Sequence, residues 1–245
     1  MKNRTGEKHI TKEGYEIEII EYFNRRNCTI QFKNEVILKK KSYSSILNGT
    51  IRNPYHISFF GKGYKGECND REYVKVNLTR IESIWNNILV RCYSEDYRSK
   101  KNAYKDVTVC EEWHNFQNFA KWYEENYIEG FQLDKDILVK GNKIYSPENC
   151  CFVPQEINKL FTKSDSSRGD LPIGVRVTKN KKYQARVTKN NTSCYLGTFN
   201  TVEEAFQAYK VAKEEYIKEV ADRWKGQITE EVYHAMYNYQ VKITD

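Results

Sequence analysis

The apolar period of this chain changes at Asn200. Before it, residues 174–178, 183–188 and 194–199 form three short runs of strand character. After it, Ala205, Ala208, Tyr209, Ala212 and Tyr216 recur at helical spacing. A period of two puts alternate side chains on opposite faces of a strand, and a period near 3.6 puts them on one face of a helix. The segment is therefore predicted to fold as a three-stranded antiparallel sheet packed on a helix. Asn180-Lys181 and Asn190-Asn191 supply the turns. Thr201 and Glu204 spell T-x-x-E, the signature of a reciprocal cap at a helix start. A last helix is expected over roughly 229–240, with Val232, Ala235, Met236 and Tyr239 on one side.

Charge singles out the same segment. The chain carries 40 Lys+Arg against 33 Asp+Glu, net +7. Residues 1–60 hold a net +5, residues 71–160 a net −1 and residues 161–245 a net +3. Within 171–199 stand Arg176, Lys179, Lys181, Lys182, Arg186 and Lys189, and no acid. Such a stretch concentrates counterions and favours phosphate. On the middle strand, Lys182, Gln184, Arg186 and Thr188 share one face. Tyr183, Ala185 and Val187 share the other, which matches the small-residue stripe of the helix.

These residues carry a resemblance. Gly174-Val175-Arg176, Lys182-Tyr183-Gln184-Ala185-Arg186-Val187, Tyr195-Leu196-Gly197-Thr198-Phe199, Thr201, Glu203-Glu204-Ala205 and Ala208-Tyr209 resemble the Apetala2/ethylene-response-factor DNA-binding domain over about 45 residues. The resemblance implies a sheet lying in the major groove of DNA with the helix behind it. It makes Arg176, Lys179, Lys182, Gln184, Arg186, Thr188 and Tyr195 the candidate DNA-binding residues. Gln184 and Thr188 depart from the residues more usual in plant members, so the contacted sequence is not carried over.

The remainder divides by composition. Residues 1–60 read as a small β-rich module, with strands at 14–22, 28–32 and 36–38 and one helical turn at 42–47. Residues 61–78 read as a linker, 79–161 as a central domain, 162–170 as a second linker, and 171–245 as the sheet-and-helix domain with an extra helix. The central part opens with two aromatic amphipathic helices, 79–93 and 111–127. A strand, a loop, a strand and a short helix from Pro154 follow. The expected class is α+β, in several domains.

That central part resembles the HNH-type, or ββα-metal, endonucleases of phages and mobile elements. The residues concerned are Trp85 to Leu89, Arg91-Cys92-Tyr93, Trp113, Phe116, Phe119, Leu133-Asp134-Lys135-Asp136, Gly141-Asn142 and Tyr145 to Cys150. The resemblance implies a divalent ion, Mg or Mn, that stabilises charge during phosphodiester hydrolysis, and a base that activates water. By position it implies Asp134 as first metal ligand, with Asp136 as an alternative on the same face, Asn149 as the orienting Asn, and Asn158 as the metal ligand on the helix. Lys135 stands where the family has its base His, and no His lies between His114 and His234. A lysine is charged near neutrality unless strongly desolvated, which makes it a poor base.

The chain is 14% aromatic, which excludes a solvating disordered chain. No apolar run approaches the ~18 residues that span a bilayer. The first ten residues lack the apolar core of a signal peptide. The seven Cys show no C-x-x-C pair and no zinc-ligand spacing. The expectation is a bacterial-cytoplasmic, sequence-specific binder of double-stranded DNA, similar to a phage homing endonuclease but with a degenerate catalytic motif. The alternative expectation is a non-cutting regulator or anti-host-defence protein that acts through a host protein partner.

Overall fold

A computed structural model describes residues 3–67, 78–162 and 171–245. Residues 68–77 of the first expected linker and 163–170 of the second lie outside the described residues. The chain is mixed α+β and divides into two compact units. One contains residues 1–105 and 109–121, the other residues 106–108 and 122–245. Among the described residues, no helix is long and apolar enough to cross a membrane.

The first unit begins with an antiparallel meander of β1 (Lys8–Ile10), β2 (Glu16–Asn24), β3 (Asn27–Phe32) and β4 (Ile37–Lys41), hydrogen-bonded in that order. Ile17 pairs with Phe32 and Ile19 with Ile30, so the alternating apolar residues of β2 and β3 meet on one face. The short helix α1 (Tyr43–Leu47) covers that face with Tyr43 and Ile46. Ser42 caps it by accepting from the Ser45 N–H. Strand β1 lies outside the sequence expectation, because three residues are too few to show a period.

Helix α2 (Leu78–Tyr93) buries Ile81, Trp85, Ile88, Leu89 and Cys92 at the predicted spacing. The Trp85 indole N–H donates to the Trp113 carbonyl at 2.7 Å, and the Trp85 ring meets Phe59 and Phe116. The segment near Gly63 packs down on this helix: a Cβ at Gly63 would stand 2.6 Å from Leu89 Cδ1. Backbone bonds from Tyr64 N–H to the His114 carbonyl and from Phe116 N–H to the Tyr64 carbonyl hold it there. Helices α3 (Glu95–Lys100) and α4 (Phe116–Asn126) follow, with the two-residue strand β5 (Thr108–Val109) between them.

In the second unit, β6 (Gln132–Asp134) pairs antiparallel with β8 (Cys151–Val153), the two-residue β7 (Ile144–Tyr145) lying between them in sequence. Helix α5 (Gln155–Leu160) comes next, so the local order is strand, strand, helix. A three-stranded antiparallel sheet follows, built from β9 (Val175–Val177), β10 (Tyr183–Lys189) and β11 (Thr192–Phe199) in the order β11-β10-β9. Asn190 and Asn191 both have positive φ, 49° and 61°, the conformation of the tight hairpin turn that joins β10 to β11.

Helix α6 (Val202–Trp224) runs 23 residues and starts on the predicted capping box. Its first half packs Ala205, Phe206 and Tyr209 against Val175, Ala185 and Val187 of the sheet. Its second half packs Tyr216, Ile217, Val220 and Ala221 against Ile137, Cys151, Val153, Ile157 and helix α7 (Glu230–Tyr237). Glu156 of α5 accepts from Arg223 Nη2 at 2.7 Å and from Trp224 Nε1 at 2.8 Å. The residues of the expected central and C-terminal domains thus share one helix and one core.

Gly174 sets the entry to the sheet. It has φ +78°, and a Cβ there would stand 2.0 Å from Tyr209 Cδ2. Replacing it with Ala forces both a strained backbone and an overpacked contact. Gly174→Ala is expected to destabilise the protein by about 2 kcal/mol or more. Thr201→Ala removes the cap and is expected to cost about 1 kcal/mol. Urea denaturation of the two variants checks both values and their order.

Candidate nucleic-acid interface

The sheet has one face on α6 and one face outward. Val175, Ala185 and Val187 are at most 6% exposed and face the helix. The outward face is organised in cross-strand rows. Gln184 stands between Arg176 and Thr198, Arg186 pairs with Tyr195, and Thr188 pairs with Ser193. Arg176, Thr188, Ser193, Tyr195 and Thr198 are exposed, while Gln184 and Arg186 are half-buried. Lys179, Lys181 and Lys182 project from the β9–β10 turn. Thr178 closes that turn through its N–H to the Lys182 carbonyl at 2.8 Å.

A bulge decides what β11 presents. Ala185 pairs with Gly197, and the next residue, Arg186, pairs with Tyr195. Leu196 is the extra residue, which restores Tyr195 to the outward face on which Thr198 lies. The Tyr195 hydroxyl then sits 2.9 Å from Thr198 Oγ1, and the Tyr195 ring is 56% exposed. Gly197, at φ +144°, occupies the bulge. Thr198 and Ser193 are not among the residues that the sequence points to. A glycine inside a strand pattern is the signal that points to such a bulge.

Among the described residues, most of the charge on this face has no ion-pair partner. Of the six basic residues in 171–199, Lys189 pairs with Glu219 at 3.1 Å and lies over the Tyr216 ring. The side chains of Arg176, Lys179, Lys181, Lys182 and Arg186 make no ion pair among the described residues. The buried Nε of Arg186 has no hydrogen-bond partner among the described residues.

The residues that the sequence suggested for metal chemistry are arranged otherwise. Asp134 is largely enclosed, and its Oδ1 accepts from the N–H groups of Asp136 at 2.7 Å and Ile137 at 2.8 Å. Burial pushes its carboxyl above the ordinary 3.8, and the two N–H groups offset part of that rise. The ammonium of Lys135, 8% exposed as a residue, donates to Asp136 Oδ1 at 2.6 Å and to the Asn142 carbonyl at 2.9 Å. Asn142 returns a bond to the Lys135 carbonyl at 2.8 Å. Lys135 and Asn142 thus brace the loop between β6 and β7.

Asn158 donates its amide to Gln132 Oε1 at 2.9 Å, and Asn149 lies in a turn with its N–H on the Ser146 carbonyl. Burial pushes the thiols of Cys150 and Cys151 up, Cys151 to about 12, and the Asp134 charge adds to the rise of both. His114 belongs to the other unit, with Nε2 2.9 Å from the Tyr93 hydroxyl, and burial lowers its pKa. No group of three or more His, Cys, Asp or Glu that could hold a metal occurs among the described residues. A bound divalent ion needs ionised oxygen ligands gathered around one point. The side chains of Asp134, Asp136 and Asn158 do not fit that requirement, each being engaged with a different protein partner.

Compared with models of protein families, with curated proteins and with solved structures, the chain matches none.

The geometry gives Asp134 a structural consequence that can be measured. Asp134→Ala leaves two backbone N–H groups without their acceptor and is expected to destabilise by about 1–3 kcal/mol. Asp134→Asn keeps an oxygen acceptor and costs less. In the native protein the raised pKa favours folding fully below 3.8, and that contribution is lost as pH rises through the folded value. Asp134→Asn removes this loss. Denaturation midpoints from about pH 3 to about pH 7 should fall less steeply for the Asn variant than for the native chain.

Proposed function

We propose that the chain binds double-stranded DNA through the outward face of its three-stranded sheet, and that it does so without cutting. The observation that carries this reading is the set Arg176, Lys179, Lys181, Lys182 and Arg186. They are five cations from an acid-free segment, with no described counter-charge, on or beside a face that also offers Gln184, Thr188, Thr198 and Tyr195. Arginine and lysine position a protein on phosphates, and an Arg, Gln or Thr on a solvent-facing strand has the donors and acceptors that read base edges. The resemblance of these residues to the Apetala2-type domain supports the same reading.

The engaged state of Asp134, Asp136 and Asn158 supports binding without hydrolysis. The function is then that of a DNA-binding regulator that keeps part of a nuclease-like sequence pattern.

Titration of duplex DNA against salt tests the proposal. Each phosphate contact contributes about −0.9 to the slope of log K against log salt. Arg176→Ala with Arg186→Ala is expected to weaken binding and to lower the magnitude of the slope by about 2. A native slope near zero, or a double variant with native affinity, overturns the groove-docked sheet. Incubation of the same duplex with Mg²⁺ or Mn²⁺ should give no product at any enzyme concentration. Cleavage that is abolished in Asp134→Ala overturns the non-cutting half of the reading.

A further inference from the structure

Lys213 stands on the inward stripe of α6. Tyr209 one turn before it and Tyr216 and Ile217 one turn after it are buried. An inward lysine between two cores is unusual, because burying an ammonium without a partner is unfavourable. Lys213 makes no ion pair or hydrogen bond among the described residues, and burial pulls its pKa down to about 8 with no opposing charge to restore it. It lines a groove of about 980 Å³ with Lys159 of α5, Arg176 of β9 and Arg186 of β10.

Among the described residues that line it, the groove carries one carboxylate, Glu156, and that group is already committed. Its Oε1 receives Arg223 and its Oε2 receives Trp224. The remaining charged lining is four cations. Strand β9 pairs only with residues 183–185 of β10, so Arg186 stands where the short strand ends. The Nε of Arg186 is buried there with no acceptor among the described residues. Lys159 and Arg176 are exposed, while Arg186 and Lys213 are partly buried. Partly desolvated cations around a concave space focus a positive field, and a groove lined by both a planar guanidinium and an ammonium suits a phosphoryl group.

We propose that this groove is a phosphate site, in which Lys213 and Arg186 hold the oxyanion of a phosphoryl group. The group comes either from a DNA backbone or from a phosphomonoester free in solution. The first source rests on the DNA-binding reading above and the second does not. Lys213 differs from the outward-face residues in lying on the helix behind the sheet, so its substitution leaves that face intact.

The experiment uses the full chain and two variants, Lys213→Met and Lys213→Arg. Met keeps the length and packing of the side chain without its charge, and Arg keeps the charge. Thermal unfolding of both confirms that they fold. Inorganic phosphate is titrated by calorimetry at low ionic strength, and duplex DNA is titrated against salt.

Loss of one charge-assisted contact is expected to weaken phosphate binding about tenfold in Lys213→Met and to spare it in Lys213→Arg. If the phosphoryl group belongs to DNA, Lys213→Met also lowers the salt slope by about 1. If it belongs to a free phosphomonoester, phosphate binding falls and the slope stays. Inorganic phosphate and duplex affinities that are both indifferent to Lys213→Met overturn the site. A chain that binds no duplex at all defeats the DNA-binding reading, while the phosphate titration still decides the groove.

Discussion

Helix α6 is the member on which the rest of the second unit depends. Its 23 residues present one buried stripe to two different cores. Ala205, Phe206 and Tyr209 close the back of the three-stranded sheet, which is too small to bury its own apolar face. Tyr216, Ile217, Val220 and Ala221 close the β6–β8 hairpin, α5 and α7. The Glu156 contacts to Arg223 and Trp224 fasten the far end. The outward face of the sheet is therefore held from behind by a helix anchored in a second core.

Much of the sheet and helix is legible in the sequence. The change of period at Asn200, the Thr201–Glu204 cap and the Asn190-Asn191 turn each have a local cause, and local causes leave local patterns. The register of β11 is less legible. Alternation counted straight through 194–199 puts Tyr195 and Thr198 on opposite faces, and only the bulge at Leu196 brings them together. The shared core of α6 with β8 and α5 is also hidden, because Val220 and Val153 are far apart in sequence and each reads simply as apolar.

Lys135 shows the limit of reading a site by position. The resemblance read from sequence implies a base at this position. Its place in the structure supplies the positive reason for a lysine: a buried ammonium that joins the Asp136 carboxylate to the Asn142 carbonyl across the loop. Asp134 is similar, a carboxylate that reads as a ligand in sequence and serves its own backbone two and three residues on. Short acidic motifs have two uses, and the choice between them depends on whether the oxygens remain available.

The bulge at Leu196 also bears on how this strand can change. The bulge sets the two residues Leu196 and Tyr195 against one residue step of β10, so an odd extra residue is absorbed inside the strand. Without Leu196, Tyr195 would follow Gly197 directly, still opposite Arg186, and the strand would alternate regularly with the same residues on each face. What the strand would lose is the local bend and the Leu196 side chain packed against the α6 core.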